Sequence, residues 1–362
     1  MALHFHQLAV REIRRETDDC ISVSFDIPEN LQAEFLFRQG QNITIRKSFG
    51  GEELRRSYSI CSSPAENELR IAIKKMPGGK FSDWANQHLK VGDTLELLPP
   101  TGKFNTPLDP VNRKNYLAFA AGSGITPVMS IIKTTLVEEP LSRFTLVFGN
   151  RDRKSIIFRE ELENLKNRYM ERLQLIHILS RERTDNELTH GRINDHKCHE
   201  LCTCLLDIQG FDEIFICGPE EMIFAVKKFL EERGIRENNI HFELFTTPQQ
   251  GQGTRTGGSI EAKQMVEQTV STIQIRLDGL VTTFTLPAQG ETILNAALRK
   301  GIDLPYACKG GVCSTCRAKL QEGEVFMDQN YALEAEELAA GFILTCQSHP
   351  KTARVFVDYD AR

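Results

Sequence analysis

Four cysteines near the C-terminus constrain this chain more than any other feature. Cys308, Cys313 and Cys316 follow the spacing C-x4-C-x2-C, and Cys346 comes after 29 intervening residues. A tight loop must bend three thiols around one centre. Four thiolates in this order suit two ferric ions bridged by two sulfides, a [2Fe–2S] cluster. Gly310 and Gly311 remove side chains where backbone N–H groups can point at sulfur, and Ala307, Ser314 and Thr315 leave room. A Zn(Cys)4 site is the alternative, although zinc sites usually bring two compact pairs and here the fourth ligand stands alone. Disulfides are a third possibility, disfavoured in a reducing compartment.

The other six of the ten cysteines do not extend this pattern. Cys20, Cys61 and Cys217 are scattered. His196, Cys198, His199, Cys202 and Cys204 crowd one segment, but no second pair lies at a matching distance, so they read as non-ligand residues on a helix or loop. Met1 to His6 lacks the basic-then-apolar order of a secretory signal, and the expected setting is the cytoplasm. No run of ~18 apolar residues offers a membrane span. The net charge of −5 argues against nucleic acid as the main partner.

At 362 residues the chain should hold two or three domains, since single cores seldom exceed roughly 250 residues. Residues 1–110 read as short strands, among them Cys20 to Ile27, Gln41 to Ile45 and Leu69 to Lys74, punctuated by Pro77-Gly78-Gly79 and Pro99-Pro100. That texture predicts an antiparallel β-barrel. Residues 111–246 alternate strands (Tyr116 to Ala121, Phe144 to Phe148, Leu173 to Leu179, Glu213 to Cys217) with helices (Val128 to Leu136, Glu160 to Tyr169). This is the pattern of an α/β domain on a parallel sheet. Residues 247–269 are polar and glycine-rich at the start, as in a flexible linker. Residues 270–362 combine a hairpin about Asp278-Gly279, a helix from Thr292 to Lys300 and the cysteine loop, a small β-grasp-like α+β domain.

Three segments carry nucleotide-binding chemistry. Arg56, Tyr58 and Ser59 lie within four residues at a strand end and can hold a flavin nucleotide. The charge would meet the pyrophosphate, the aromatic face the ring, and the hydroxyl the region near N5. Exposed strand residues are the bland alternative. Lys74 and the run Gly79-Lys80-Phe81-Ser82, glycines leading into a helix, offer further charge and backbone donors. Gly122-Ser123-Gly124-Ile125-Thr126-Pro127 follows a strand and opens a helix, where an anionic diphosphate is favoured, although the third glycine of G-x-G-x-x-G is missing. Pro127 suits a first helical turn. Ser180 and Arg181, assisted by Arg151 and Arg153, could pair a 2′-phosphate and so favour NADPH over NADH; solvent-facing arginine is the alternative. Cys217-Gly218-Pro219 ends another strand, where the thiol borders a nicotinamide or is a small core residue.

These motifs, Arg56-x-Tyr58-Ser59, Gly122 to Pro127 and Cys217-Gly218-Pro219, resemble the ferredoxin–NADP reductase family. Glu243-Leu244-Phe245 is similar to the family's E-x-aromatic ending, in which the aromatic covers the flavin; here it is Phe245 rather than tyrosine. The last segment resembles plant-type ferredoxin. The order flavin, nicotinamide, iron–sulfur resembles reductase components of oxygenases; phthalate-dioxygenase-like reductases share it, although they carry FMN. The stretches Gly51 to Arg56, Leu304 to Cys313 and Glu337 to Gly341 resemble reductases that serve phenylacetyl-CoA epoxidases.

The resemblance implies FAD, NADPH, one [2Fe–2S] cluster held by Cys308, Cys313, Cys316 and Cys346, and a separate diiron oxygenase, the phenylacetyl-CoA epoxidase complex, as electron acceptor. It implies that Tyr58 stacks on the flavin, Arg56 holds its phosphates, Ser59 contacts the ring, and Thr126 and Cys217 shape the nicotinamide pocket. A reductase for another oxygenase, a non-catalytic iron–sulfur regulator and a zinc-stabilised interaction protein remain as alternatives. The carboxylates of Glu322, Glu324, Asp328, Glu334, Glu336 and Glu337 either steer a basic docking surface or form a solvated face.

Overall fold

The computed structural model describes residues 3–183, 186–245 and 270–361, so the linker expected at 247–269 lies outside the described residues. The first segment folds as six antiparallel strands: β1 (His6–Thr17), β2 (Cys20–Asp26), β3 (Asn42–Phe49), β4 (Glu52–Ser59), β5 (Leu69–Lys74) and β6 (Thr94–Thr101). Their order is β4-β3-β6-β1-β2-β5. The residue after β4, Ile60, bridges to Ile71 of β5 and closes the two edges into a barrel. Leu8, Val10, Ile21, Val23, Ile43, Ile45 and Leu97 fill it, since alternate strand positions point inward. Helix α1 (Lys80–His88) caps the barrel with Phe81 and Ala85.

The second segment is a five-stranded parallel sheet. Strand β7 (Asn115–Ala121), helix α2 (Ile125–Glu138), β8 (Arg143–Asn150), α3 (Arg159–Arg168), β9 (Leu173–Leu179), α4 (Asp195–Cys204), β10 (Glu213–Gly218), α5 (Glu220–Glu232) and β11 (Ile240–Leu244) follow in turn. The order β11-β10-β7-β8-β9 reverses direction between β7 and β10. In open parallel sheets a ligand crevice forms at such a switch point, outside the carboxyl ends of the strands. Cys198 is buried in the core while Cys204 is exposed, so the thiols of α4 do not share one environment.

The barrel and the parallel sheet are joined through α2. Ser130 Oγ donates to the Ser62 carbonyl at 2.6 Å, Thr134 Oγ1 lies 3.0 Å from Ser63 Oγ, and Lys133 pairs with Glu66 at 3.1 Å.

The third segment is a mixed five-stranded sheet with a helix across it, the β-grasp-like arrangement. Strands β12 (Val270–Leu277) and β13 (Leu280–Pro287) turn at Asp278 and Gly279, both at positive φ, as a two-residue hairpin of this hand requires. Helix α6 (Ile293–Arg299), β14 (Arg317–Glu322), α7 (Ala335–Ala339), β16 (Phe342–Leu344) and β18 (Arg354–Asp358) complete it, and β15 (Val325–Met327) pairs with β17 (Ser348–Pro350) in a separate two-stranded sheet. Ile293, Leu294, Ala296 and Ala297 of α6 pack on Ile273, Ile275, Val355 and Val357. Thr292 caps the helix by accepting from the Asn295 N–H. Among the described residues no helix is long and apolar enough to cross a membrane.

Candidate functional site

The three segments meet at one cavity of about 260 Å³. Strand β4 contributes Arg55, Arg56, Ser57 and Ser59, the end of the parallel sheet contributes Glu243, Leu244 and Phe245, and the cysteine loop contributes Tyr306, Cys308, Lys309, Val312 and Cys313. Of the residues expected at the flavin and the cluster, Arg56, Ser59, Phe245, Cys308 and Cys313 therefore share one wall system. Phe245 is 41% exposed and is the last described residue of its segment.

Glu243 enters this cavity from β11, and its functional position is visible in sequence only as the first letter of the E-x-aromatic ending. Ser59 Oγ donates to Glu243 Oε2 at 3.0 Å. The β11–β10 register sets Glu243 beside Cys217, and the β10–β7 register sets Cys217 beside Ala120. Burial, with the charge of the nearby Cys313 adding to it, pushes the Glu243 carboxyl up to about 8, against the hydrogen bonds from Ser59 and Asn42. The carboxyl thus holds its proton near neutral pH. Cys217 is fully buried, and burial holds its thiol well above the usual range. It is a packed neutral thiol in this geometry.

The switch-point crevice is built by close backbone approach. A Cβ on Gly124 would lie 2.1 Å from the Cys217 carbonyl oxygen. A Cβ on Gly218 would meet the Met222 terminal methyl at 2.7 Å and Ala121 at 3.2 Å. Gly122 stands at φ +54, a left-handed turn that glycine adopts without strain. Thr126 is buried and donates to the Ser123 carbonyl at 3.0 Å, so it braces the loop, and Pro127 lies inside the first turn of α2. Pro219 caps α5 in the same crevice. Lys74 of the barrel points at this loop: its Nζ would lie 3.9 Å from a Cβ on Gly122 and sits 3.7 Å from Asp19.

Tyr58 lies on a different face of β4. Its ring packs against Phe81 at 5.7 Å between centroids, and Phe81 meets Trp84 at 5.9 Å. It is not among the residues that line the cavity shared by Ser59 and the cysteine loop. Gly79, Lys80 and Ser82 adjoin this face. Ser82 Oγ accepts from the Met76 N–H at 3.1 Å and fixes the glycine turn, while Lys80 pairs with Glu52 at 2.5 Å.

Arg151, Ser180 and Arg181 come together past the ends of β8 and β9. The Ser180 and Arg181 N–H groups donate to the carbonyls of Asn150 and Arg151, at 3.0 and 2.8 Å. Among the described residues, neither Arg151 nor Arg181 has an ionic partner, whereas Arg153 is engaged by Glu182 at 3.2 Å.

The four cysteines fit the donor set of a cluster. Lys309, Gly311 and Ser314 adopt positive φ, which curls the loop. The Gly310 N–H donates to Cys308 Sγ at 3.3 Å and the Gln347 amide to Cys346 Sγ at 3.6 Å, the kind of donors that stabilise sulfur charge. The β14–β16 register, Arg317 opposite Leu344, brings the flanking Cys316 and Cys346 together. Thr345 Oγ1 ties them by donating to the Cys316 carbonyl at 3.0 Å. Cys313, Cys316 and Cys346 are buried and Cys308 is half-buried.

Known proteins fix the reading of these parts. Residues 7–106 match the oxidoreductase FAD-binding domain, 119–228 the oxidoreductase NAD-binding domain and 275–351 the 2Fe-2S iron-sulfur cluster binding domain. The chain is 46% identical over 358 residues to a component of the 1,2-phenylacetyl-CoA epoxidase of Escherichia coli (strain K12), covering 99% of this chain and 98% of that one. The chain belongs to the ferredoxin–NADP reductase family, with a plant-type ferredoxin domain at its C-terminus. This reductase is also 33% identical over 356 residues to the ferredoxin reductase component of 3-ketosteroid-9-alpha-monooxygenase from Rhodococcus rhodochrous, covering 97% and 96% of the two chains. Its fold matches phthalate dioxygenase reductase over 98% of both chains, with TM-score 0.55 and 24% identity. It is an oxidoreductase that takes electrons from a pyridine nucleotide and carries FAD and [2Fe–2S] domains for their transfer.

The six carboxylates between Glu322 and Glu337 are expected from sequence either to steer a partner or to be solvated. Glu337 does neither. It is buried, paired with Lys103 of the barrel segment at 2.8 Å and with Arg317 of its own domain.

Proposed function

We propose that this reductase passes electrons from NADPH, through FAD and the [2Fe–2S] cluster, to a diiron oxygenase, and that the oxygenase is a cytoplasmic phenylacetyl-CoA epoxidase. The observation that carries the electron route is the shared cavity: Ser59 and Arg56 form one wall and Cys308 and Cys313 another. When bound, the flavin accepts a two-electron hydride and releases electrons singly to the cluster. The chain's own residues bind and orient. Arg56 supplies charge for the flavin phosphates and Tyr58 an aromatic face; Phe81, expected from sequence to bind, is instead buried in the barrel core behind Tyr58, and Gly79, Lys80 and Ser82 present the start of α1. Ser59 donates its hydroxyl proton in a hydrogen bond to the Glu243 carboxyl at the wall of the cavity. Phe245 excludes water. Thr126, Pro127, Cys217, Gly218 and Pro219 shape the nicotinamide crevice, with Gly122 and Lys74 at its mouth. Arg151, Ser180 and Arg181 take the 2′-phosphate, which selects NADPH over NADH.

The epoxidase assignment rests on the identity of 46% across almost the whole of both chains. The test is reconstitution: purified oxygenase, phenylacetyl-CoA and NADPH, with and without this chain. Epoxide formation that depends on the chain supports the proposal; none, with cluster and flavin both loaded, overturns it. The ketosteroid monooxygenase relative supports the second reading, a different oxygenase as acceptor, and the same assay run with that class of substrate separates the two.

A further inference from the structure

We propose that Arg55 is the positioning residue that sets the cysteine loop against the flavin wall, so that it governs electron passage to the cluster without touching either cofactor's chemistry. This rests on the flavin and cluster assignments above and holds whichever oxygenase is served. Arg55 precedes the phosphate-binding motif, and nothing in its sequence setting marks it out. Its side chain is only 3% exposed. A buried guanidinium is costly unless its donors are met. Here they are met mostly by another domain. One nitrogen donates to Asp303 Oδ1 at 2.5 Å, another to the Leu304 carbonyl at 3.0 Å, and the third to Glu53 Oε1 on its own strand at 2.8 Å. The guanidinium plane stacks over Tyr306, 4.1 Å from its centroid. Asp303, Leu304 and Tyr306 lie just before Cys308, while Arg56 and Ser59 lie just after Arg55.

One side chain therefore links the strand that faces the flavin to the loop that carries the first cluster thiolate. Arg46 makes a second contact with Asp303 at 3.2 Å, but through a single bond and from a different strand. Only Arg55 offers the planar fork that satisfies a carboxylate and a carbonyl at once while stacking on an aromatic ring. Lysine, a point charge, cannot reproduce this set.

The experiment uses the full chain loaded with flavin and cluster, in three variants: Arg55→Gln, Arg55→Lys and Asp303→Asn. The readouts are ferricyanide reduction, which draws on the flavin, the stopped-flow rate of cluster bleaching by NADPH, and backbone hydrogen exchange. The expected result is roughly tenfold slower cluster bleaching in Arg55→Gln and Arg55→Lys, as for truncation of one partner of a buried ion pair. Asp303→Asn should fall in the same direction with ferricyanide reduction unchanged. Faster exchange should be confined to residues 53–59 and 303–312. Three outcomes would overturn the proposal: full rate in Arg55→Lys, equal loss of flavin-level and cluster-level rates, or exchange raised throughout the chain. If Arg55→Gln does not fold, Asp303→Asn decides by the same readouts.

Discussion

Ser59 and Glu243, 184 positions apart, meet at 3.0 Å across the boundary between the barrel and the parallel sheet. Neither domain alone contains this pair, so it forms only when the two are docked. Ser59→Ala leaves the carboxyl with one donor fewer, retaining Asn42. We expect flavin content to be retained and anaerobic flavin reduction by NADPH to slow by about tenfold, the scale of one lost hydrogen bond at a half-buried acceptor. Stopped-flow absorbance measures it; an unchanged rate would place the pair outside the chemistry.

Gly124 has no room for a methyl group. In Gly124→Ala the new Cβ must push against the Cys217 carbonyl, and backbone cannot swing aside as a side chain can. The expected loss is about 1–3 kcal/mol of stability, as for overpacking, together with a raised KM for the nicotinamide nucleotide. Urea unfolding and steady-state kinetics on the same sample report both.

Nucleotide preference should reside in Arg181 and Arg151. Arg181→Ala is expected to raise the KM for NADPH by about tenfold or more, the scale of a lost charge-assisted contact. The KM for NADH should stay put. Equal effects on both nucleotides would count against a 2′-phosphate site.

Cys346→Ala removes the proposed ligand from outside the loop. The visible and paramagnetic signatures of the cluster should disappear, and cluster-dependent reduction of the oxygenase should fall to background. Iron and sulfide analysis provides the control, since retained iron would mean that Cys346 is not a ligand.

His177 lies away from the cavity, packed against Phe148, and burial lowers its imidazole below the usual 6.5, with Arg159 adding to this and Glu163 opposing it. The unfolded chain takes up a proton near pH 6.5 that the folded chain refuses. Stability is therefore complete above that value, declines as pH falls through it, and stops declining below the depressed folded value. His177→Leu should flatten this part of the profile. Urea midpoints at about pH 8 and about pH 5 would differ less in the variant than in the parent if burial is the cause.

The candidate cluster cysteines stand out in the sequence because a small inorganic core would force three of four ligands into one short loop. The strand-loop-helix at Gly122 is legible for a similar reason, since phosphate binding at a helix start is local chemistry. Its tight packing is not, because the Cys217 carbonyl that excludes a side chain at Gly124 comes from a strand far along the chain. Strand β1 is hidden as well, as its alternation is interrupted by bulges between Val10 and Glu12 and between Arg15 and Thr17. Nothing local distinguishes the adjacent Arg55 and Arg56. Their fates diverge only through the strand pleat and through Asp303, 248 positions away. Glu337 reads like its acidic neighbours, although Lys103 and Arg317 remove it from solvent.

The contact between Gly124, at the start of α2, and the Cys217 carbonyl, on β10, sets how closely the loop approaches the strand by backbone alone. The switch-point crevice is thus shaped at this point by backbone, whereas Arg151 and Arg181 past β8 and β9 offer side chains. Substitution of Arg151 or Arg181, the proposed 2′-phosphate residues, would leave that backbone contact untouched.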